Sequence, residues 1–133
     1  MSAQTPAATR PIAVAIVDDD ASVRSSLSRL CRVFGLSATT YASGREFLAS
    51  LDSGESRADC LLLDAHMPEM NGFELQRRLV ARGAYIPTIL CTGGDLPEAP
   101  VHDAATGIVG CLRKPMSAAD LLAAIEQAVR KRP

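Results

Sequence analysis

The chain has 133 residues, of which 47% are hydrophobic and 22% are charged, and its formal net charge is −1. These values are typical of one soluble globular domain with a sizeable core. The balance of 14 basic and 15 acidic side chains does not indicate a nucleic-acid partner. No apolar run approaches the roughly 20 residues of a membrane helix. Residues 1–11 predict a disordered N-terminal tail and not a signal peptide, so we expect a cytoplasmic location.

The first half of the chain alternates between strand and helix patterns. An apolar run at residues 12–17 predicts a buried strand, and the helix that follows begins at Asp20, a favourable N-cap. Residues 36–41 mix apolar with small polar side chains, as an exposed edge strand does. The segment Ser43-Gly44-Arg45-Glu46 is a capping box, which predicts a short helix that buries Phe47.

The second half begins with four apolar residues that lead directly into Asp64. This pattern, at residues 60–64, is typical of a strand buried on both faces. Asn71 can cap the next helix, which extends to about Arg82 and turns Leu75 and Leu79 inward together with Phe73 or Val80. The remaining elements follow in order: a strand at residues 86–91, a short helix at 100–106, a strand at 108–112, and a last helix capped by Ser117.

Five alternations of strand and helix predict an α/β fold. We expect a doubly wound, five-stranded parallel sheet with five helices on its two faces, all within one domain at residues 12–131. Parallel strands end on the same side of a sheet, which is where open α/β sheets place their ligand sites. The strand ends bring the following residues to that edge: Asp18, Asp19, Asp64, Thr92 and Lys114.

Three carboxylates at one edge repel one another unless a proton or a cation neutralises them. An all-oxygen site with a lysine nearby suits Mg²⁺, which binds carboxylates, carbonyl oxygens and water and accepts a phosphoryl oxygen. Lys114 and the Thr92 hydroxyl would donate to the other phosphoryl oxygens. The set favours phosphoryl transfer onto a carboxylate, with Asp64 as the nucleophile because it ends the central strand.

From about residue 11 to residue 129, the sequence resembles the receiver domain of a two-component response regulator, close to the FixJ-like branch. The motifs that carry the resemblance are Val17-Asp18-Asp19-Asp20, Leu62-Leu63-Asp64-Ala65-His66-Met67-Pro68, Gly72-Phe73-Glu74-Leu75, Cys91-Thr92-Gly93 and Lys114-Pro115. The resemblance implies a flavodoxin-like strand order, 2-1-3-4-5, and a cis peptide bond between Lys114 and Pro115.

The same resemblance implies roles for the residues at the sheet edge. Asp64 would accept a phosphoryl group from a sensor histidine kinase, and Asp19, Asp64 and the His66 carbonyl would bind Mg²⁺, with Asp18 acting through water. Thr92 would be the switch hydroxyl and Lys114 the phosphate partner. The chain would then be a switch and not a turnover enzyme. A downstream output domain or protein would be a further partner. The resemblance also allows a phosphorylation-dependent homodimer.

One position departs from the family pattern. The family usually has Tyr or Phe three residues before the lysine, where this chain has Cys111, and a thiol cannot act as the same large rotor. Cys91 and Cys111 lie on neighbouring predicted strands, so a redox switch is an alternative to two free buried thiols.

Three other functions compete with the receiver interpretation. An aspartyl-phosphate hydrolase would need an acid two residues after the nucleophile, where this chain has His66. A receiver that docks partners without phosphate is disfavoured because all five active residues are present. Flavin binding is disfavoured because three aspartates follow the first strand, where a phosphate loop would lie.

Overall fold

The computed structural model describes residues 11–54, 57–94 and 107–130. Five strands and four helices lie in these segments. They are β1 (Ala13–Val17), α1 (Ala21–Val33), β2 (Ser37–Tyr41), α2 (Gly44–Asp52), β3 (Cys60–Asp64), α3 (Gly72–Ala81), β4 (Thr88–Thr92), β5 (Ile108–Arg113) and α4 (Ala118–Arg130). The predicted N-terminal tail, apart from residue 11, and the predicted helix at 100–106 lie outside the described residues.

The strands form one parallel sheet in the order β2-β1-β3-β4-β5, which confirms the predicted doubly wound fold. β3 is central and buried at all five positions, whereas β2 at the edge is half exposed. The predicted cis bond between Lys114 and Pro115 is also present. Among the described residues, none of the helices combines the length and the apolar character needed to cross a bilayer.

Each face of the sheet has its own apolar core because side chains alternate along a strand. On one face, α2 and α3 contribute Phe47, Leu75 and Leu79. On the other face, α1 contributes Leu27 and α4 contributes Leu121 and Ile125, among others. The predicted burial of Phe47, Leu75 and Leu79 is thus confirmed.

The capping residues also lie where the sequence predicts them. The Asp20 carboxylate accepts hydrogen bonds from the backbone N–H groups of Ser22 and Val23, and Asn71 accepts one from Glu74 N at 2.9 Å. Each cap satisfies backbone donors that have no partner within the helix. These caps fix the first turns of α1 and α3, both of which start at the edge that carries the acidic residues.

One prediction for α3 was wrong. Phe73 and Val80 are 37% and 48% exposed, and Gln76 is buried in their place at 1%. Gln76 Nε2 donates to the Thr88 hydroxyl at 2.7 Å, and that hydroxyl donates to the Ile86 carbonyl at 2.8 Å. The Gln76 carbonyl oxygen has no hydrogen-bond partner among the residues that the structure describes. A polar residue therefore takes an inward position that apolar periodicity assigned to its neighbours.

The described cysteines are all free, and the geometry argues against a Cys91–Cys111 switch. Cys111 pairs with Leu90 in the sheet register, so the side chains of Cys91 and Cys111 point to opposite faces. Each packs against a different apolar core. Burial also raises the pKa of Cys91 to about 12, which keeps it a thiol near neutral pH.

Candidate functional site

The carboxyl edge of the sheet brings the predicted side chains together. Asp18 and Asp19 follow β1, and Asp64 is the last residue of β3. One carboxylate oxygen from each of the three lies within 4.8 Å of the others. Backbone hydrogen bonds hold this edge in place, including Asp18 N to Tyr41 O at 3.2 Å and Lys114 N to Thr92 O at 2.7 Å. Four separate segments thus meet at one acidic site.

Lys114 is the cation of this site. Its Nζ lies 2.7 Å from Asp18 Oδ2, where it donates a hydrogen bond, and 3.5 Å from Asp64 Oδ1. Partial burial lowers the pKa of Lys114, but the hydrogen bond and charge of Asp18, together with Asp64, outweigh that effect and raise it overall. Lys114 therefore stays an ammonium and links the ends of β1, β3 and β5.

Asp64 is only 6% exposed at the end of the central strand. Burial raises its pKa, the hydrogen bond from His66 N at 3.1 Å opposes that rise, and the charges of Asp18 and Asp19 raise the pKa further against the attraction of Lys114. The net effect of these interactions is a raised pKa for Asp64. The carboxylate is therefore held in one place by a rigid strand and is less stable as an anion than a carboxylate in water.

Asp18 is 2% exposed, and both of its carboxylate oxygens accept hydrogen bonds. Its Oδ1 accepts from Asp20 N at 2.9 Å, its Oδ2 accepts from Lys114, and its carbonyl oxygen accepts from Arg24 Nη1 at 2.8 Å. The contact with Arg24 was not predicted. Its only sequence signal is an arginine in the first turn of the helix that follows the acidic run. Asp20 caps that helix, whereas Asp19 is exposed beside the other two acids.

Thr92 ends β4 at the same edge and is completely buried. Its hydroxyl oxygen accepts a hydrogen bond from Gly94 N at 3.2 Å, and its carbonyl oxygen accepts from Lys114 N. Its position at the strand end agrees with the sequence prediction. The structure thus holds a hydroxyl beside the residue that carries the ammonium group.

His66 contributes its backbone to this site. Its N–H donates to Asp64, and its side chain is exposed. The His66 carbonyl oxygen stays a predicted metal ligand. The exposed imidazole provides no buried acid two residues after Asp64, which is what the hydrolase alternative would require.

Gly72 allows α3 to start directly against the acidic edge. A Cβ at this position would lie 3.0 Å from Leu90 Cδ2, 3.2 Å from the Asp64 carbonyl oxygen and 3.3 Å from Ala65 Cα. Two of these atoms belong to the backbone and cannot give way easily. A glycine is therefore needed here for the close approach of helix and strand that fixes the loop after Asp64.

The donor set fits Mg²⁺. All its candidate atoms are oxygens, which is the preference of this ion, and three carboxylates face a single ammonium. The cluster has excess negative charge, and the raised pKa of Asp64 shows that its anion is disfavoured, so a divalent cation would stabilise the cluster. Asp18, Asp19 and Asp64 would hold it, with the carbonyl of His66.

A doubly wound sheet with three acids, a hydroxyl and a lysine at its carboxyl edge defines a receiver-type signalling domain. The family model of the response regulator receiver domain matches residues 14–126, so the chain belongs to that family and is the receiver domain of a response regulator in two-component signalling.

Relatives of known sequence agree with this assignment. The chain is 41% identical over 119 residues to the response regulator protein TmoT of Ectopseudomonas mendocina, covering 89% of this chain and 53% of TmoT. It is 39% identical over 116 residues to the transcriptional regulatory protein FixJ of Azorhizobium caulinodans, covering 84% and 52%. The chain thus spans about half the length of these relatives.

Solved structures agree as well. The crystal structure of FixJ-N matches with a TM-score of 0.81 and 34% identity, over 94% of this chain and 98% of that one. The chemotaxis protein CheY4 of Vibrio cholerae matches with a TM-score of 0.78 and 30% identity, over 89% and 98%. The matches to FixJ-N and to FixJ support the FixJ-like branch that the motifs indicate, and the match to CheY4 supports the fold.

Proposed function

We propose that this chain is a phosphoacceptor switch in which Asp64 receives a phosphoryl group from a sensor histidine kinase, with Mg²⁺ as cofactor. The observation that carries the proposal is the convergence of Asp64, Asp18, Asp19 and Lys114 at one edge, with Lys114 Nζ only 3.5 Å from the Asp64 carboxylate. An isolated strand-end aspartate would not need these partners.

In the proposed reaction, an Asp64 carboxylate oxygen attacks the phosphorus of a phosphohistidine. A P–O bond forms and the P–N bond breaks, and the histidine nitrogen keeps the electron pair. Bound Mg²⁺ would offset negative charge on the phosphoryl oxygens. The attacking group is the ionised carboxylate of Asp64, and the positive charges of Lys114 and of bound Mg²⁺ would favour that form.

Lys114 and Thr92 would stabilise the transferred group. The Lys114 ammonium already lies between Asp18 and Asp64, so a phosphoryl group on Asp64 comes within its reach without a large movement. The Thr92 hydroxyl accepts from Gly94 N and can donate its hydrogen to a phosphoryl oxygen. That new bond would pull Thr92 and the loop after it towards Asp64.

Cys111 would limit how the movement of Thr92 on phosphorylation is transmitted to the rest of the domain. Its small side chain is half buried beside Leu90, where the family usually has an aromatic ring. We propose that the output depends more on the loop after Thr92 than on a side-chain rotation at position 111. The output would act on a further domain or protein, or through a phosphorylation-dependent homodimer. The chain assists its own phosphorylation and is not a turnover enzyme.

Incubation with phosphoramidate and Mg²⁺, followed by intact-mass analysis, tests the proposal. We expect the wild type to gain one phosphoryl group, and both Asp64→Asn and an excess of EDTA to abolish the gain. Asp120→Asn, the same substitution at an exposed position on α4, should leave it unchanged. A phosphoryl group that Asp64→Asn still acquires would contradict the assignment, and turnover of a generic phosphate ester would favour the hydrolase.

A further inference from the structure

A second surface of the molecule has a concentrated positive charge. A cleft of about 620 Å³ lies between α1 and the edge strand β2. Three guanidinium groups and three hydroxyl groups line it, and no carboxylate from the described part of the chain does. They are Arg24, Arg29, Arg32, Ser25, Ser28 and Thr40. We call this surface the α1–β2 cleft.

The arginines of the α1–β2 cleft differ from those on α3 and at its C-terminal end. Arg77 and Arg78 pair with Glu74, and Arg82 pairs with Asp52. Arg24, Arg29 and Arg32 form no ion pair with a described residue, and none of the 13 residues of α1 is acidic. The concentration of unpaired charge is notable in a chain whose net charge is −1.

Two of these arginines are held in place by the fold. Arg24 Nη1 donates to the Asp18 carbonyl at 2.8 Å, and Arg32 Nη2 lies 3.4 Å from the Ala38 carbonyl. A guanidinium has five N–H donors, so each keeps several donors for a ligand. Planar, forked donors favour carboxylate or phosphate groups that accept two hydrogen bonds at once.

We propose that the α1–β2 cleft binds a short acidic segment of a partner protein. Arg24 and Arg32 are eight residues apart on α1, which is a distance of about 12 Å at the rise of an α-helix. An extended peptide covers that distance in about four residues. The cleft thus matches a segment with two or three carboxylates in four to six residues. The proposal does not depend on phosphorylation of Asp64.

A nucleic acid fits the same surface less well. The acids at positions 18–20 lie immediately before α1, so a continuous phosphate backbone that extends past Arg24 would meet like charge. Within the described segments, no aromatic side chain on which a base could stack lines the cleft. A short acidic peptide can end before it reaches that acidic run.

Amide chemical-shift titration of the full chain tests the proposal, with blocked hexaglutamate as the probe and hexaglutamine as the neutral control. We expect hexaglutamate to shift amides of Ala21–Val33 and Ser37–Tyr41, to lose affinity as salt is added, and hexaglutamine to shift none. The triple variant Arg24→Gln/Arg29→Gln/Arg32→Gln should bind at least tenfold more weakly. The charge-matched variant Arg77→Gln/Arg78→Gln/Arg130→Gln should bind within twofold of the wild type.

Arg29→Glu provides an independent variant. Arg29 is exposed and forms no hydrogen bond or ion pair with a described residue, so we expect its replacement to leave the fold intact. It should weaken binding at least threefold. The proposal is overturned if hexaglutamate does not bind, if it shifts amides elsewhere, or if both triple variants weaken binding equally. It is also overturned if oligothymidylate binds the same amides more tightly than hexaglutamate does.

Discussion

Replacement of Asp64 by asparagine should stabilise the protein when no divalent cation is present. Asp64 lies within 4.8 Å of two carboxylates and 3.5 Å from the Lys114 ammonium. With an effective dielectric constant of about 20, each repulsion at 4.8 Å is roughly 3.5 kcal/mol and the attraction at 3.5 Å is roughly 5 kcal/mol. The two repulsions together exceed the attraction by about 2 kcal/mol, and solvent screening reduces the net effect to about 1–2 kcal/mol.

The asparagine keeps a carbonyl oxygen for the hydrogen bond from His66 N, so the change removes charge more than contacts. Urea denaturation followed by circular dichroism measures the free energy of unfolding. In EDTA, Asp64→Asn should be more stable than the wild type by about 1–2 kcal/mol. Mg²⁺ at 100 times its dissociation constant should stabilise the wild type by about 2.7 kcal/mol and the variant far less.

The difference in stability between Asp64→Asn and the wild type should change with pH in a defined direction. The folded-state pKa of Asp64 is raised by burial and by the neighbouring acids, against the bond from His66 N. Ionised Asp64 therefore destabilises the fold in full above its raised folded-state pKa. The effect shrinks as the pH falls through that pKa and is gone below the pKa of an unfolded aspartate. The stability difference between variant and wild type in EDTA should shrink on acidification.

A wild type that is more stable than Asp64→Asn in EDTA would refute this reasoning. An equal gain from Mg²⁺ in both proteins would refute it as well. Either result would mean that the three carboxylates are not a strained, cation-accepting cluster.

Three further predictions concern the cationic partner of Asp18, the N-cap of α3 and the buried pair of Gln76 and Thr88. Lys114→Gln leaves the buried Asp18 carboxylate without its cation and should destabilise the protein in EDTA by about 3 kcal/mol. Mg²⁺ should restore part of the lost stability. Unchanged stability of the variant would contradict the pairing of Lys114 with Asp18. Asn71→Ala should lose about 1 kcal/mol of unfolding free energy, whereas Asn71→Asp should keep it. Gln76→Met removes a buried carbonyl that has no partner among the described residues, and it should be neutral or stabilise the protein by about 1 kcal/mol. Thr88→Val leaves the Gln76 amide without its acceptor and should destabilise the protein by about 1–3 kcal/mol. A Gln76→Met protein that is less stable than Thr88→Val would contradict this explanation.

Strong local patterns predicted most of the fold. The apolar run before Asp64 identified the central strand, and the caps at Asp20 and Asn71 placed the starts of two helices. Strand alternation then placed the acids, the hydroxyl and the lysine at one edge. These features depend on neighbouring residues in sequence, which is why they could be recognised without coordinates.

The missed features depend on contacts between distant segments. Gln76 is buried because the Thr88 hydroxyl lies opposite it, and nothing near Gln76 in sequence signals this contact. The opposite faces of Cys91 and Cys111 follow from the register of β4 and β5, which shifts between Thr88 and Ile89. The sequence also could not show that Lys114 would lie closer to Asp18 than to Asp64.

The identity of the phosphorylated residue tests the central claim most directly. After reaction with phosphoramidate and Mg²⁺, borohydride reduction converts an aspartyl phosphate to homoserine, which peptide mass spectrometry locates. We predict homoserine at position 64 alone. Homoserine at position 18 or 19, or an acid-labile phosphoryl group on His66 with Asp64 unmodified, would contradict the account.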